Sequence, residues 1–375
     1  MPVGVLHVCD KFGVAGSSIH GVSRLFSWWF PRYDSSRFDV SLCGLKGPEA
    51  ASRLLEADGI RVHHLGRGRF DPRTLTDLVA LGRRLEARIL HVHGYAAADF
   101  GRLAARRLGA KLVLHEHFAD PRMPAYQALA DRLLARFTDR AIAVSASTME
   151  FLVRERHVPR AVIRLIWNGA PLDEFAPVER IAAEAVRRQL GLPLDALVIG
   201  AVGRLSEQKG HRYFLEAAAT VLRRAPGTWV LVVGDGDLDQ SLRQRARDLG
   251  IAPRVVFAGH RADVPAILGA IDVLCISSTY EGTPLALFEA MASGKAIVST
   301  AVDGCREVLE EGSTGLLVPA RDPAALAAGL LKPLLDAGLR ESLGREARRA
   351  SRGYDIRDCV SKMESLYDEV LRGSD

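Results

Sequence analysis

Short apolar runs alternate with longer segments of helical period along the whole chain. In the first half the runs are Val3–Val8, Phe38–Leu45, Ile60–Leu65, Ile89–Val92, Lys111–His115, Ala141–Val144 and Ile163–Trp167. Several are near-continuous Val, Ile and Leu, as expected of strands buried on both faces of a parallel sheet. Helical spacing fills the intervals, for example over Pro72–Glu86 and Ala125–Phe137. Strand–helix–strand alternation predicts a doubly wound α/β sheet. The pattern pauses over Asn168–Leu194, which carries Pro171, Pro177 and Pro193. It restarts with Leu197–Val202, Trp229–Val233, Val255–Ala258, Val273–Ser277, Ala296–Ser299 and Leu316–Val318, so a second α/β domain is expected. Ligands of open α/β sheets bind beyond the carboxyl ends of the strands, and a cleft between the two domains is the expected site. Asp355–Leu371 reads as an amphipathic helix.

The chain has 375 residues, 48% hydrophobic and 25% charged, which is a globular composition of two or three domains. Charge is unevenly spread. Residues 1–170 carry 25 Lys and Arg against 16 Asp and Glu, whereas residues 171–375 carry 25 against 29. The basic first half suits an acidic partner or a membrane surface; the plainer reading is a solvated Arg-rich face. The five cysteines are scattered without a CxxC pair. That fits free thiols in a reducing cytoplasm, and neither a disulfide framework nor a zinc site. No basic stretch precedes the first apolar run, so no secretory leader is expected. No uncharged apolar run reaches the roughly 18 residues of a membrane span. A cytoplasmic protein, at most peripheral to the inner face of the membrane, is expected. Trp28-Trp29-Phe30, with Arg24 and Arg32 nearby, invites a membrane-surface reading. The recurrence of Ile19, Val22, Phe26 and Trp29 at helical spacing points instead to a helix end packed in the core.

The chemistry-bearing signals concentrate at strand ends of the second half. Gly203-Arg204-Leu205-Ser206-Glu207-Gln208-Lys209-Gly210 follows one strand and precedes a helix. An Arg that grips phosphate oxygens in pairs, a Lys point charge and a helix N-terminus together make a diphosphate site. Val232-Val233-Gly234-Asp235-Gly236-Asp237 ends the next strand in a glycine turn, with Asp239 where a third glycine of GxGxxG would stand. Gly234 and Gly236 permit close backbone approach. The run Asp235, Asp237, Asp239 imitates a metal-binding DxD, but no His joins it and an acidic tight turn is the plainer reading. Glu281-Gly282-Thr283-Pro284-Leu285-Ala286-Leu287-Phe288-Glu289 follows strand Val273–Ser277 and opens a helix running to about Ser293. Glu281 is expected in the loop and Glu289 a turn into the helix. The N–H groups of Thr283, Leu285 and Ala286 are expected free at its start, where sugar oxygens or phosphate find donors.

In this order the motifs resemble those of the retaining glycosyltransferases of family 4, which have the GT-B fold of two facing Rossmann-like domains. The likeness runs over nearly the whole chain. Gly203-Arg204 to Lys209-Gly210 matches the family's GR…KG loop, Val233-Gly234-Asp235-Gly236 its VGDG turn, and Glu281 with Glu289 its E-x7-E motif. Val144-Ser145, then Ile166-Trp167-Asn168-Gly169 and Phe175, resemble its interdomain stretch, and Val302 to Val308 its VGGxxEVV element. Where the family usually has Asp, this chain has Pro171.

The resemblance implies an acceptor domain over 1–170, a nucleotide-sugar domain over 171–354 and a helix over 355–375 that crosses back to the first domain. It implies that Arg204 and Lys209 bind the donor diphosphate, that Glu289 binds ribose hydroxyls, and that Glu281 with the amides after it holds the transferred sugar. Gly203, Gly234, Gly236, Gly282, Thr283, Pro284 and Leu285 belong to the same donor set, and His260-Arg261 lies against the base. In the first domain the family's glycine-rich loop corresponds to Phe12-Gly13-Val14-Ala15-Gly16-Ser17-Ser18, with Gly13, Gly16 and Ser17 as the acceptor or phosphate contacts. The family's histidine after strand five has two counterparts, His115 and His117. His117, at the loop end, is the one favoured near the reacting centre, with His93 as lining at the end of strand four. His115-Glu116-His117 suggests zinc, but no third ligand stands at metal spacing, so no metal is expected.

The expected function is transfer of a hexose-type sugar from a nucleoside diphosphate, UDP first and GDP second, to a hydroxyl of a glycan, lipid-linked or small-molecule acceptor. No cofactor and no nucleic acid are expected. A nucleotide-sugar 2-epimerase, a dinucleotide-dependent oxidoreductase and a non-catalytic binding protein are the alternatives. The oxidoreductase lacks its GxGxxG.

Overall fold

The computed structural model describes residues 1–13, 21–120 and 122–373. The chain forms two compact units. Of the described residues, the first takes those within 1–13, 21–168 and 356–373, and the second takes 169–355.

In the first unit the strands are β1 (Val3–Cys9), β2 (Phe38–Gly44), β3 (Val62–His64), β4 (Ala87–His93), β5 (Lys111–Glu116), β6 (Arg140–Ala143) and β7 (Ile163–Leu165). They form one parallel sheet in the order β3-β2-β1-β4-β5-β6-β7. The helices between them are α1 (Gly21–Trp29), α2 (Ala50–Ala57), α3 (Arg73–Arg84), α4 (Tyr95–Leu108), α5 (Ala125–Leu134) and α6 (Ala146–Arg154). The order reverses between β1 and β4, the switch point of a doubly wound sheet. Central strands are buried on both faces: Leu6, Val8, Leu90, Val92, Leu112 and Leu114 share one face, and His7, His91, His93 and His115 lie on the other. Asp10, just past β1, accepts the N–H groups of Tyr95, Ala96 and Ala97 at 3.0, 3.3 and 2.6 Å, and so satisfies the open start of α4.

The second unit repeats the plan. It begins with α7 (Arg180–Gln189), followed by β8 (Val198–Val202), α8 (His211–Arg224), β9 (Trp229–Val233), α9 (Asp239–Asp248), β10 (Val255–Gly259), α10 (Val264–Ala270) and β11 (Val273–Ile276). Then come α11 (Leu285–Ala292), β12 (Ala296–Thr300), α12 (Asp303–Val308), β13 (Leu316–Val318), α13 (Pro323–Leu335) and α14 (Ala337–Ser351). The parallel order is β10-β9-β8-β11-β12-β13, with its reversal between β8 and β11. Helix α7 lies where the apolar pattern pauses, and it is a correction to the sequence reading. Half of its residues are polar and its buried positions are Val186 and Arg187, and Pro177 and Pro193 on either side make the segment read as a pause. The Arg187 guanidinium docks it by donating to Ala270 O at 2.9 Å and pairing with Asp272 at 2.8 Å.

The final helix, α15 (Ile356–Arg372), belongs to the first unit. It buries Met363, Tyr367 and Val370, and Arg37 reaches its Glu364 and Asp368 at 3.2 and 2.5 Å. The Trp28-Trp29-Phe30 segment closes α1 against the core: Trp28 and Trp29 are buried, so it offers no membrane surface. Ile19, which shares its helical spacing in the sequence, lies outside the described residues.

Candidate active site

In the second unit, the loops after β8 and β11 flank the switch point, where crossovers to opposite faces leave strand ends open to ligand. Glycines let these loops touch. Gly210 has φ +62, and a Cβ there would lie 2.1 Å from Ser277 O. Gly234 has φ +136, and a Cβ would lie 2.0 Å from Gly203 O. Gly203 N in turn donates to Val233 O at 2.9 Å, and Leu205 N to Asp235 O at 2.8 Å. Gly234→Ala is expected to lower stability by about 1–3 kcal/mol through backbone strain at positive φ. A thermal melt with an unchanged midpoint would contradict this account of the turn. Gly236 plays the same part against Leu205 O, and the backbone of Gly282 packs on Gly304.

The predicted charged residues meet here. Lys209 Nζ pairs with Glu281 Oε1 at 2.5 Å, and Ser278 Oγ donates to the same oxygen at 2.7 Å. Glu281 N donates to Asp303 Oδ2 at 3.1 Å, and Ser277 Oγ to Lys209 O at 2.9 Å. Gln208 ties the two loops: its Nε2 donates to Tyr280 O at 3.2 Å and its O accepts from Thr279 N at 2.8 Å. Arg204 is half-buried, and its guanidinium meets the neutral Gln208 amide at 3.4 Å. Among the described residues it forms no ion pair. Its backbone carbonyl is hydrogen-bonded at 3.2 Å to His211, a ring that burial pushes down to about 4. The cluster is thus one compensated cation, one uncompensated cation and a carboxylate.

Pro284 caps α11, and Leu285 and Ala286 are its first residues, whose N–H groups have no acceptor within the helix. Gly282, Thr283 and Pro284 are buried beside them, and Glu289 is 1% exposed one turn in. His260 is exposed at the end of β10. Arg261 follows it in the loop. Its guanidinium is held by Asp263 at 2.6 Å and by Gln189 at 2.9 Å, so its charge is already met. Of the acidic run, Asp239 pairs with Arg243 at 2.8 Å.

In the first unit, the N–H groups of Phe12 and Gly13 donate to Glu49 Oε2 at 2.5 and 2.8 Å. The anion at Gly13 is therefore a protein carboxylate, which corrects the reading of this glycine as an open phosphate contact. Gly16 and Ser17 lie outside the described residues. His93, His115 and His117 come together, joined by His7 and His91. Their rings stack under Trp29, whose ring lies 5.2 Å from His115 and 6.3 Å from His117. Burial pushes His7 down to about 3 and holds His91, His93 and His115 well below 6.5, so these rings are neutral. His117 is half-buried at the strand end.

Sequence reasoning missed a buried ionic network behind this cluster. Arg102 and Arg156, both with fully buried side chains, share Asp131 at 2.5 Å each, and Arg156 also pairs with Glu116. Burial pushes the Glu116 carboxyl up to about 7.

Comparison with known proteins agrees with this architecture. The model of the glycosyl transferases group 1 matches residues 182–350, and that of glycosyltransferase family 4 matches residues 31–174. The UDP-Gal:alpha-D-GlcNAc-diphosphoundecaprenol alpha-1,3-galactosyltransferase of Escherichia coli is 28% identical over 94% of this chain and 95% of its own. The D-inositol 3-phosphate glycosyltransferase of Corynebacterium urealyticum is 34% identical over 56% of this chain and 51% of its own. The crystal structure of Anabaena HepE with UDP and glucose shares the fold, with a TM-score of 0.85 and 22% identity over 98% of this chain and 100% of that one. These relatives give no support to the isomerase or oxidoreductase alternatives.

Proposed function

This chain belongs to the glycosyltransferases of group 1 and family 4, and from that premise we propose that it moves a hexose from a UDP-sugar to a lipid-linked acceptor with retention of configuration. The observation that carries the donor half is the half-buried Arg204 without an ion pair, beside Lys209 and the open start of α11. A diphosphate supplies the missing negative charge, bound bidentately by the guanidinium and neutralised further by Lys209. As the bond from the anomeric carbon to the diphosphate oxygen breaks, these groups stabilise the charge that develops there. The acceptor hydroxyl attaches from the same face and its proton passes to the departing diphosphate. Glu289 binds the ribose hydroxyls, and Glu281 the sugar. On this reading, protein cations supply the counter-charge that a metal would otherwise give. The uridine base is inferred from two relatives, one named for UDP-galactose and one crystallised with UDP.

A thermal-shift screen with UDP, GDP, ADP, TDP and NAD, without metal, tests the donor site. UDP at about 100 times its dissociation constant is expected to stabilise the fold by about 2.7 kcal/mol, and Arg204→Ala to abolish the shift. A shift with NAD alone, or with no nucleotide, would overturn the assignment.

The acceptor reading draws on the lipid-diphosphate acceptor in the Escherichia coli relative's name and on the outer face of α5. There Tyr126, Leu129 and Leu133 are 43%, 60% and 58% exposed, and Phe70 nearby is 71% exposed. Arg69 stands over Phe70 and Tyr126, and Arg122, Arg132 and Arg136 are exposed along the same segment. Apolar side chains among arginines suit the surface of an anionic bilayer. No helix among the described residues is long and apolar enough to cross a membrane. Co-sedimentation with phosphatidylglycerol vesicles is expected to fall at least about tenfold in the Leu129→Glu, Leu133→Glu double variant. Undiminished binding would place the contact elsewhere.

A further inference from the structure

We propose that Asp303 is a positioning residue of the sugar subsite: its carboxylate holds the Glu281 backbone, so that Glu281 keeps its place when a donor diphosphate draws Lys209 away. This rests on the donor reading given above. In the free protein the Glu281 side chain is held at one oxygen. Its Oε1 meets Lys209 Nζ at 2.5 Å and Ser278 Oγ at 2.7 Å, while Oε2 has no protein partner among the described residues. Oε2 is thus left for a sugar hydroxyl. Lys209 has two anions to serve, Glu281 in the free protein and the diphosphate once the donor is bound. As its charge turns to the phosphates, the Glu281 side chain keeps only Ser278. The hold that does not depend on Lys209 is on the backbone, where Glu281 N donates to Asp303 Oδ2 at 3.1 Å. A carboxylate acceptor makes that bond stronger than a neutral one.

The segment that carries Asp303 is built onto the Glu281 loop. Thr300 Oγ1 donates to Ser278 O at 2.7 Å, Asp303 accepts from Glu281 N, and a Cβ on Gly304 would run into Gly282 O. The two partners of each tie are 22 residues apart, so the end of β12 and the start of α12 track the loop after β11 step for step. The residue itself is costly at its position. Asp303 has φ +27, an angle that suits glycine, and glycine stands there in the VGGxxEVV element that Val302 to Val308 resemble. Burial raises its carboxyl from the ordinary aspartate range, and the Glu281 and Glu307 carboxylates nearby add to this. Strained non-glycine backbone of this kind persists where the surrounding structure fixes it, and it clusters at functional sites. What the carboxylate provides, and a glycine would not, is the bond to Glu281 N.

Calorimetric titration of the full chain with UDP, and with UDP-glucose, UDP-galactose and UDP-N-acetylglucosamine, tests this. The readout is the affinity for the UDP-sugar that the wild type binds best, divided by the affinity for UDP, which isolates what the sugar adds. Asp303→Gly suits the backbone angle and removes the carboxylate. It is expected to lower the ratio by about tenfold or more with UDP bound as before, since a contact group misplaced by about 1 Å costs up to about a hundredfold. Asp303→Asn keeps an acceptor for the Glu281 amide and is expected to recover most of the ratio. Glu281→Ala is expected to lower the ratio at least as far, and adding Asp303→Gly to lower it no further, because the two residues act as one unit. A ratio that Glu281→Ala moves and Asp303→Gly does not would overturn the proposal alone. So would equal losses for UDP and the UDP-sugar, additive effects in the double variant, or no recovery in Asp303→Asn. A ratio unmoved by Glu281→Ala would overturn the sugar role of Glu281, and absence of UDP binding in the wild type the donor site itself; the proposal falls with either.

Discussion

Arg204→Ala is expected to lower kcat by about 10²–10³-fold while leaving the melting temperature of the free protein unchanged, because its guanidinium stabilises the further charge that develops on the bound diphosphate as the donor bond breaks. Among the described residues its guanidinium makes one long hydrogen bond, to Gln208 at 3.4 Å, so little native structure depends on it. Lys209→Ala is expected to match it in turnover but not in stability. That change strips the cation from Glu281, whose side chain is 7% exposed, and a carboxylate left that way costs about 1–3 kcal/mol. Adding Glu281→Gln should return much of the lost stability and none of the activity. Steady-state kinetics with the nucleotide sugar chosen by the shift screen, paired with thermal melts, separate the two effects. A kcat for Arg204→Ala within about threefold of wild type would remove Arg204 from the reaction, since one electrostatic donor is worth far more than that.

Asp131→Ala is expected to be the most destabilising single change in the first unit. It leaves Arg102 and Arg156, each with a side chain 0% exposed, to the remaining Glu116 and Asp99 carboxylates. Removing one partner from a buried ionic group costs about 3–5 kcal/mol, because the charge left behind is neither solvated nor paired. For a unit of this size that is a fall of roughly 6–20 °C in its transition. Differential scanning calorimetry reads it, and an unmoved transition would mean that water enters the network. Gln127 donates to both Asp131 and Asp99, at 3.2 and 3.1 Å, so Gln127→Ala should give a smaller loss of the same kind.

The strands were legible because burial on both faces writes continuous apolar runs. Trp229–Val233 and Leu316–Val318 fall where the runs stand. Helix α7 was not legible, because Pro171, Pro177 and Pro193 around it made the whole stretch read as a connection, and its docking arginine finds its partners only in the fold. The donor residues were legible as motifs, each within one loop. Their pairing was not: Lys209 and Glu281 are 72 residues apart and meet because β11 lies beside β8. The same holds for Asp10 at the start of α4, for Glu49 on the Gly13 amide and for the histidines of three neighbouring strands. The buried arginines were read as surface charge, since arginine is almost never fully buried unless paired, and the pairing partner is set only by packing.

Helix α15 belongs to a unit whose other elements end at residue 168. A ribosome therefore makes the first sheet, then the 187 residues from 169 to 355, and only afterwards the helix that covers Tyr33 and His7. At about 5–20 residues per second the wait is roughly 10–40 s. During that time the nascent first unit presents an unfinished face that carries Phe38 and His91, while the second unit has all it needs to fold. The order of synthesis and the order of completion are opposed: the domain begun first is sealed last, and a chain released before residue 356 would hold a complete C-terminal unit and an N-terminal one still open to chaperones and proteases.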